Sequence, residues 1–295
     1  MNKDEIAIYP GCSLETSSSH YLQSIKTVFG VLQIPFREIA DWNCCGATSV
    51  KSVDQHLNLM LSHKNLALAE KQGIRELVVP CASCYFRLVG AEYELNNDEK
   101  LLEKLNNESD LPYKGQVKVR NILDFFVNVV GLDHISKYVK NPLNGLKVAC
   151  YYGCLNTRVP IEKAFDTREY PMSMDEIVKA LGGEVVDWSY KTDCCGASLF
   201  VTVNTIAEKL VGKVLKDAGL RGVDCVAVSC PMCQTNLDTK QDSIRKKYPV
   251  EYPLPVAFIT QLMGVAFGCS PADLGFKKNF VPLGSIYKTR SLKNS

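Results

Sequence analysis

The chain has 295 residues, 46% hydrophobic and 22% charged, the balance of an ordinary globular protein with enough length to bury a core without covalent staples. Lys and Arg number 34 against 32 Asp and Glu, a formal net charge of +2, which excludes a general nucleic-acid binder that displaces counterions with a basic excess. Thirteen cysteines are too sparse, and the chain too long, for a small secreted disulfide scaffold.

The first residues, MNKDEIAIYPGCS, mix charges and lead into no apolar run of signal-peptide length. Ile6–Tyr9 is a short apolar run that reads as a strand ending at Pro10-Gly11, just before Cys12. Ser18–Phe29 places Tyr21, Leu22, Ile25, Val28 and Phe29 at helical spacing, and Val53–Gln72 is a second helical pattern stopped by Gly73. Leu77–Val79 reads as a strand leading into Cys81 and Cys84. The acidic stretch Glu92–Asp110 is expected to be a solvated surface insertion. The turn-rich cluster Lys140–Lys147 marks a boundary. Beyond it come strand Leu146–Tyr151 before Cys154, helix Met174–Leu181, helix Val203–Ala218, and strand Val223–Val228 before Cys230 and Cys233. Leu254–Gly268, interrupted by Pro255, Thr260 and Gln261, is too short to span a bilayer. The tail Phe276–Ser295 is basic and polar, suited to packing on a partner or to disorder.

The order of elements predicts an α/β fold of two pseudo-symmetric repeats, residues 1–140 and 147–295. Each is expected to hold a largely parallel sheet flanked by helices. In such sheets ligands bind beyond the carboxyl ends of the strands, where Cys12, Cys81, Cys154 and Cys230 fall. The two CCG triplets are expected to open the helices that follow, where free N–H groups favour thiolates. With no leader and no spanning segment, the expected compartment is the cytoplasm, where thiols stay reduced and serve metals or redox chemistry.

The repeat is carried by the cysteines. Cys12, Cys44-Cys45, Cys81 and Cys84 face Cys154, Cys194-Cys195, Cys230 and Cys233. The gaps before the paired cysteines are 31 and 39 residues, and those after them 35 and 34. The flanks agree as well: YPGC with YYGC, DWNCCGATSV with DWSYKTDCCGASLF, VVPCASC with AVSCPMC. Structural zinc takes four ligands in a closed tetrahedron, and five cysteines with an adjacent pair fit it poorly. A CxxC dithiol leaves Cys12 and the CC pair unexplained. Inert buried cysteine does not explain one spacing twice. An iron–sulfur cluster suits several convergent thiolates.

The doubled C…CCG…CxxC pattern resembles the cysteine-rich CCG domain family. Two such domains with nothing fused resemble the B subunits of CoB–CoM heterodisulfide reductases, from Ile6 to the C-terminal segment. The resemblance implies two noncubane [4Fe-4S] clusters, each held by five cysteines. Position by position, Cys12, Cys44, Cys45, Cys81 and Cys84 would hold one, and Cys154, Cys194, Cys195, Cys230 and Cys233 the other. It further implies reduction of CoM-S-S-CoB to CoM-SH and CoB-SH, one sulfur going to each cluster. The implied partners are the reductase's C-type protein, with cubane [4Fe-4S] clusters, and its flavin-containing A-type protein, with hydrogenase or formate dehydrogenase modules in the wider complex. The residues agree that electrons come from elsewhere, because the chain has no ferredoxin run, no GxGxxG and no P-loop. Two alternatives stay open: the electron-transfer component of a 2-hydroxyacid or succinate/fumarate-type dehydrogenase, and a zinc-binding interaction module.

An anionic disulfide needs cations, and Arg158, four residues after Cys154, is the leading substrate-binding candidate. His20, early in the helix after Cys12, is a second, and Arg87, Lys191 and His56 are weaker ones. Trp42 and Trp188 precede the CC pairs and are read as core packing or cluster shielding. Cys150 and Cys225 lie in apolar strands and are read as core, and Cys269 has no assigned role.

Overall fold

The computed structural model describes residues 6–47, 50–245, 247 and 253–291. The first half runs β1 (Ile6–Ile8), α1 (Gly11–Glu15), α2 (Ser19–Val31), β2 (Arg37–Glu38), α3 (Val50–Val53) and α4 (Gln55–Lys71). It continues with β3 (Glu76–Val79), α5 (Ala82–Asn97), α6 (Glu99–Asn107), β4 (Lys118–Asn121), α7 (Ile122–Asp124), a π-helical turn Phe125–Val130 and α8 (Leu132–Ser136). The second half runs β5 (Lys147–Tyr151), α9 (Ser173–Ala180), β6 (Glu184–Val185), a 3-10 turn Ala197–Leu199, α10 (Asn204–Leu220) and β7 (Cys225–Val228). It ends with α11 (Pro231–Thr239), α12 (Gln241–Arg245), β8 (Val256–Phe258), α13 (Ile259–Ala266) and α14 (Gly284–Ser291).

Each half closes its own four-stranded sheet, ordered β2-β1-β3-β4 and β6-β5-β7-β8, and all pairings are parallel. Ile6, Ala7, Ile8, Val226, Ala227 and Val228 are fully buried or nearly so, as expected for short apolar strands covered on both faces. In both sheets the chain order reverses at the pair of central strands, β1/β3 and β5/β7. Cys12 and Cys81 follow the ends of the first pair, and Cys154 and Cys230 the ends of the second. All four therefore sit at topological switch points, where α/β sheets leave a crevice.

The halves interlock. Tyr21 of α2 stacks flat on Phe258 of β8 with ring centroids 3.9 Å apart, and its hydroxyl donates to the Ser229 carbonyl at 2.9 Å. Ser24 and Thr260 share a buried hydrogen bond of 2.6 Å. Reciprocally, α9 of the second half packs on α7 and the π-helical turn of the first. Each half thus lends a helix to the other's core.

Three expectations change. The CCG triplets do not open α-helices: Gly46 and Gly196 take left-handed φ values of +71° and +72°, Gly196 caps only the 3-10 turn Ala197–Leu199, and α3 and α10 start several residues later. It is the CxxC motifs that do so, because Cys81 and Cys230 are the N-cap residues of α5 and α11. The acidic stretch is not wholly solvated either. Glu92 is buried, pairs with Lys163 of the second half at 2.7 Å and accepts from the Val119 N–H. The described part of the tail packs on its own half, with Leu283 and Ile286 buried and Asp238 accepting from the N–H groups of Phe280 and Val281. Residues 292–295 lie outside the described set.

Candidate functional site

Strand ends, helix starts and the CC loops bring the cysteines of each set together. The Sγ atoms of Cys45 and Cys84 are 3.2 Å apart, and those of Cys195 and Cys233 are 3.5 Å apart. In the first set Cys12 and Cys44 are exposed and the other three buried. In the second, Cys154 and Cys194 are half-buried and the other three buried. Cys81 and Cys230, equivalent in the repeat, are near enough to shift each other's protonation, Cys81 upward and Cys230 downward, so the two sets adjoin across the pseudo-twofold.

Glycine geometry permits this crowding. Gly11 and Gly153, each just before the first cysteine of its set, hold φ values of +65° and +68°. A Cβ at these positions would lie 3.0 Å from the Cys84 sulfur and 2.8 Å from the Cys233 sulfur. Two residues earlier stand Tyr9 and Tyr151. Tyr9 donates its phenolic hydrogen to the Asn43 carbonyl at 2.6 Å, and Tyr151 donates to the Asp193 carbonyl at 2.5 Å. Each bond ties a strand end to the residue just before a CC pair. Burial first, then the surrounding thiols, push both phenols far above their ordinary range, which keeps them protonated donors. These four residues were not singled out from the sequence, although the shared Y-x-G-C flank carried the signal.

The thiols divide their protons unequally. The hydrogen bond with Cys84 lowers Cys45 to about 7, with help from the Ala47 N–H and Arg87. The hydrogen bond with Cys154 lowers Cys194 to about 6, with help from the Gly196 N–H and Arg158. Their partners are pushed up for the same reason, Cys84 by Cys45 and Cys154 by Cys194.

All five cysteines of the second set, Cys154, Cys194, Cys195, Cys230 and Cys233, line one cavity of about 300 Å³. Its other wall is made by Ala47, Ala82, Ser83, Phe86 and Arg87, which neighbour the first set in sequence. Arg158 also lines it. Phe86, Arg87 and Arg158 continue into a groove of about 710 Å³ that includes Arg168, His56 and Glu94. Among the described residues, neither Arg87 nor Arg158 has a carboxylate within ion-pair distance. The arrangement places two guanidinium groups without a carboxylate partner among the described residues, Arg87 lying over the Phe86 ring, beside a thiol-lined pocket.

Other candidates lie elsewhere. His20 is buried against Phe258, with ring centroids 5.2 Å apart, and does not line the cavity. Lys191 is also absent from the lining, because its ammonium is buried in an ion pair with Asp175 at 2.6 Å. His56 pairs with Glu108. Trp42 packs edge-on against Tyr9, and Trp188 donates to the Cys150 carbonyl at 3.0 Å beside Tyr151, so both support the tyrosine clamps. Cys150 and Cys225 are buried in β5 and β7, and Cys269 is half-buried after α13.

The donor sets are all sulfur, the set chemistry that soft, iron–sulfur-type centres use. Among the described residues, no three His, Cys, Asp or Glu side chains gather as a single metal ion would require. The five thiols of the second set line a common cavity.

Residues 6–89 and 148–238 match the cysteine-rich CCG domain family. The chain is 32% identical to the membrane anchor component of the 8-methylmenaquinol:fumarate reductase of Wolinella succinogenes, over 94% of this chain and 97% of that protein. It is also 32% identical to the B subunit of the ferredoxin/F(420)H(2)-dependent CoB-CoM heterodisulfide reductase of Methanosarcina acetivorans, over 96% of this chain and 97% of that one. A solved structure of a hypothetical protein from Helicobacter pylori superposes with a TM-score of 0.75 at 15% identity. That match covers 96% of this chain and 53% of the other, and it is a likeness of fold.

Proposed function

The chain belongs to the cysteine-rich CCG domain family, alongside heterodisulfide reductase B subunits, and we propose that it is the iron–sulfur component of a multi-protein oxidoreductase that reduces a disulfide. The observation that carries this reading is the cavity, lined together by five thiols of one set, by sequence neighbours of the other set, and by two arginines with no carboxylate partner among the described residues. Cys12, Cys44, Cys45, Cys81 and Cys84 would hold one noncubane [4Fe-4S] cluster, and Cys154, Cys194, Cys195, Cys230 and Cys233 the second. When bound, each cluster supplies one electron and an iron that accepts a thiolate, so two clusters match the two electrons of an S–S bond. The chain's own residues do the rest. Arg87 and Arg158 hold anionic groups of the disulfide, and Phe86, Leu155 and Met232 keep water from the thiol wall. In this reading CoM-S-S-CoB, the disulfide in the name of the archaeal relative, is the substrate. Electrons arrive through a C-type protein with cubane clusters and a flavin-containing A-type protein, since this chain carries no other redox motif. Among the described residues no helix is long and apolar enough to cross a membrane. The reading places the chain in the cytoplasm.

A second reading has a specific observation behind it, the equal identity to a fumarate reductase component. There the same two clusters would relay electrons between a quinol and a fumarate-reducing partner, and no disulfide would bind. Anaerobic purification with iron and sulfide counting, followed by EPR with and without thiols, separates the readings. About eight iron per chain and a paramagnetic signal induced by thiol support disulfide reduction. The same iron with a signal indifferent to thiol supports the relay, and zinc without acid-labile sulfide sinks both.

A further inference from the structure

The two thiol sites are not equivalent, and the difference lies behind the second one. The first half reads DWNCCG and the second DWSYKTDCCG, so four extra residues, Ser189–Thr192, precede the second CC pair. Lys191 sits in this insertion and is 2% exposed. Its ammonium donates to Asp175 at 2.6 Å and to the Pro171 carbonyl at 3.1 Å, and lies 4.2 Å from the centre of the Tyr170 ring. Asp175 is 1% exposed and accepts from the Tyr152 hydroxyl at 2.6 Å. That hydroxyl in turn accepts from the Met174 N–H at 2.7 Å. The backbone closes the loop: the Lys191 carbonyl accepts from the N–H groups of Tyr152 and Gly153 at 2.8 and 3.1 Å.

Tyr152 and Gly153 lead directly into Cys154, and Tyr152 lines the thiol cavity. The turn that presents Cys154 is therefore held twice through one residue, by the Lys191 carbonyl on its backbone and through Asp175 on its ring. Among the described residues the first half has nothing corresponding. The position of Tyr152 is Pro10, with neither hydroxyl nor N–H, and the insertion is absent. A buried ion pair costs desolvation and adds little net stability, but it fixes geometry, and loss of one partner strands the other charge in the interior.

We propose that Lys191, acting through Asp175 and Tyr152, is a positioning residue for Cys154 that stiffens the second thiol site alone. The inference rests on the proposed pairing of five thiols to a site, yet it concerns the presentation of Cys154 whether or not a cluster is bound.

The test is Lys191→Met, Asp175→Asn and the double variant in the full-length chain. In metal-free protein, alkylation of Cys154 and Cys12 by iodoacetamide is timed by mass spectrometry, with circular dichroism to confirm the fold. Cys154 is expected to react about fivefold faster or more in each variant, because a local opening becomes easier, while Cys12 is unchanged. The double variant is expected to resemble each single rather than their sum, as partners in one unit do. In cluster-loaded protein, one of two EPR-monitored potentials is expected to shift, the one lost in Cys195→Ala and kept in Cys45→Ala. If a variant loses its fold, Tyr152→Phe, which removes one hydroxyl, carries the same expectation. Wild-type protein without iron and sulfide would end the proposed function and leave the alkylation result to decide this inference. Unchanged Cys154 reactivity, or equal acceleration at Cys12 and Cys154, overturns it.

Discussion

Tyr151 donates its phenolic hydrogen to the carbonyl of Asp193 over 2.5 Å, and the first half repeats the bond between Tyr9 and Asn43. The acceptor in both cases is the residue before a CC pair. The bond joins the end of a central strand to a loop that has no regular structure of its own, so it fixes the distance between the first cysteine and the pair. Tyr151→Phe removes that bond while keeping the ring against Trp188. A buried hydrogen bond contributes about 1 kcal/mol, and the stranded carbonyl adds to the loss. Urea unfolding is expected to show a loss of about 1–2 kcal/mol, and a chelator is expected to strip the second site faster than the first. Tyr9→Phe reverses that order. Equal release from both sites in either variant would contradict the clamp.

Gly153→Ala is expected to be more damaging than its size suggests. The position needs a left-handed backbone, which costs an L-residue about 1–2 kcal/mol, and the new methyl meets the Cys233 sulfur. Unlike a flexible chain end, that sulfur is buried and cannot move away freely. Iron per chain is expected to fall by about half, because one of two sites fails to load. Gly11→Ala should do the same to the first site through Cys84. Gly30→Ala, on α2 with nothing within 4 Å, is the control and is expected to keep full iron content.

These two predictions show where sequence reading stops. The strands before Cys12, Cys81, Cys154 and Cys230 were legible because short apolar runs between turn residues have few other uses. The helices around Ile25 and Val211 were legible from periodicity. The mistake at the CCG triplets has a physical origin. A glycine after two cysteines looks like an α-helix entry, but Gly46 and Gly196 take left-handed φ, and Gly196 leads only into a 3-10 turn. The roles of Glu92 and Lys191 were hidden for another reason. Their partners, Lys163 and Asp175, are distant in sequence, and a single charged residue among polar neighbours reads as surface. Arg87 and Arg158 come from different halves, and only the packing of α5 against the loop after Cys154 puts them in one groove.

Cys81 and Cys230 shift each other's protonation where the two sets adjoin. Removing either is therefore expected to disturb both sites, whereas removing the exposed Cys12 disturbs one. With signals assigned from Cys45→Ala and Cys195→Ala, Cys81→Ala is expected to empty the first site and also broaden or shift the second-site EPR signal. Cys12→Ala is expected to leave the second signal in place. Turnover should be abolished by Cys45→Ala and by Cys195→Ala alike if a disulfide needs both sites.

Arg158→Ala tests the substrate wall. A guanidinium without a carboxylate partner at a thiol cavity is poised for an anion, and one such contact is worth about 1.5–3 kcal/mol. The Michaelis constant for an anionic disulfide is expected to rise at least about tenfold, with iron content unchanged. Arg158→Lys keeps the charge but not the fork and is expected to recover only part of the loss. A neutral disulfide of similar size should show little change. An equal loss for both substrates would assign Arg158 to structure instead.

His20 gives the chain an acid-sensitive point outside the thiol sites. Burial first, and then the nearby Lys278, lower it from the ordinary 6.5 to about 4. Its ring lies against Phe258, and among the described residues neither ring nitrogen has a hydrogen-bond partner. The folded state therefore holds it neutral. A base whose folded pKa lies below its unfolded value binds more protons when unfolded, so stability rises with pH across the interval. The contribution is complete above about pH 6.5 and is lost progressively as the pH falls toward about 4. The full span is worth up to about 3 kcal/mol, at the contact between α2 and β8 that joins the halves. Urea midpoints of the metal-free chain are expected to fall between pH 7 and pH 4.5, and His20→Leu is expected to flatten that slope. Lys278→Met, which removes the repelling cation, is expected to reduce the slope in part. A slope identical in wild type and His20→Leu would place the acid sensitivity in other groups.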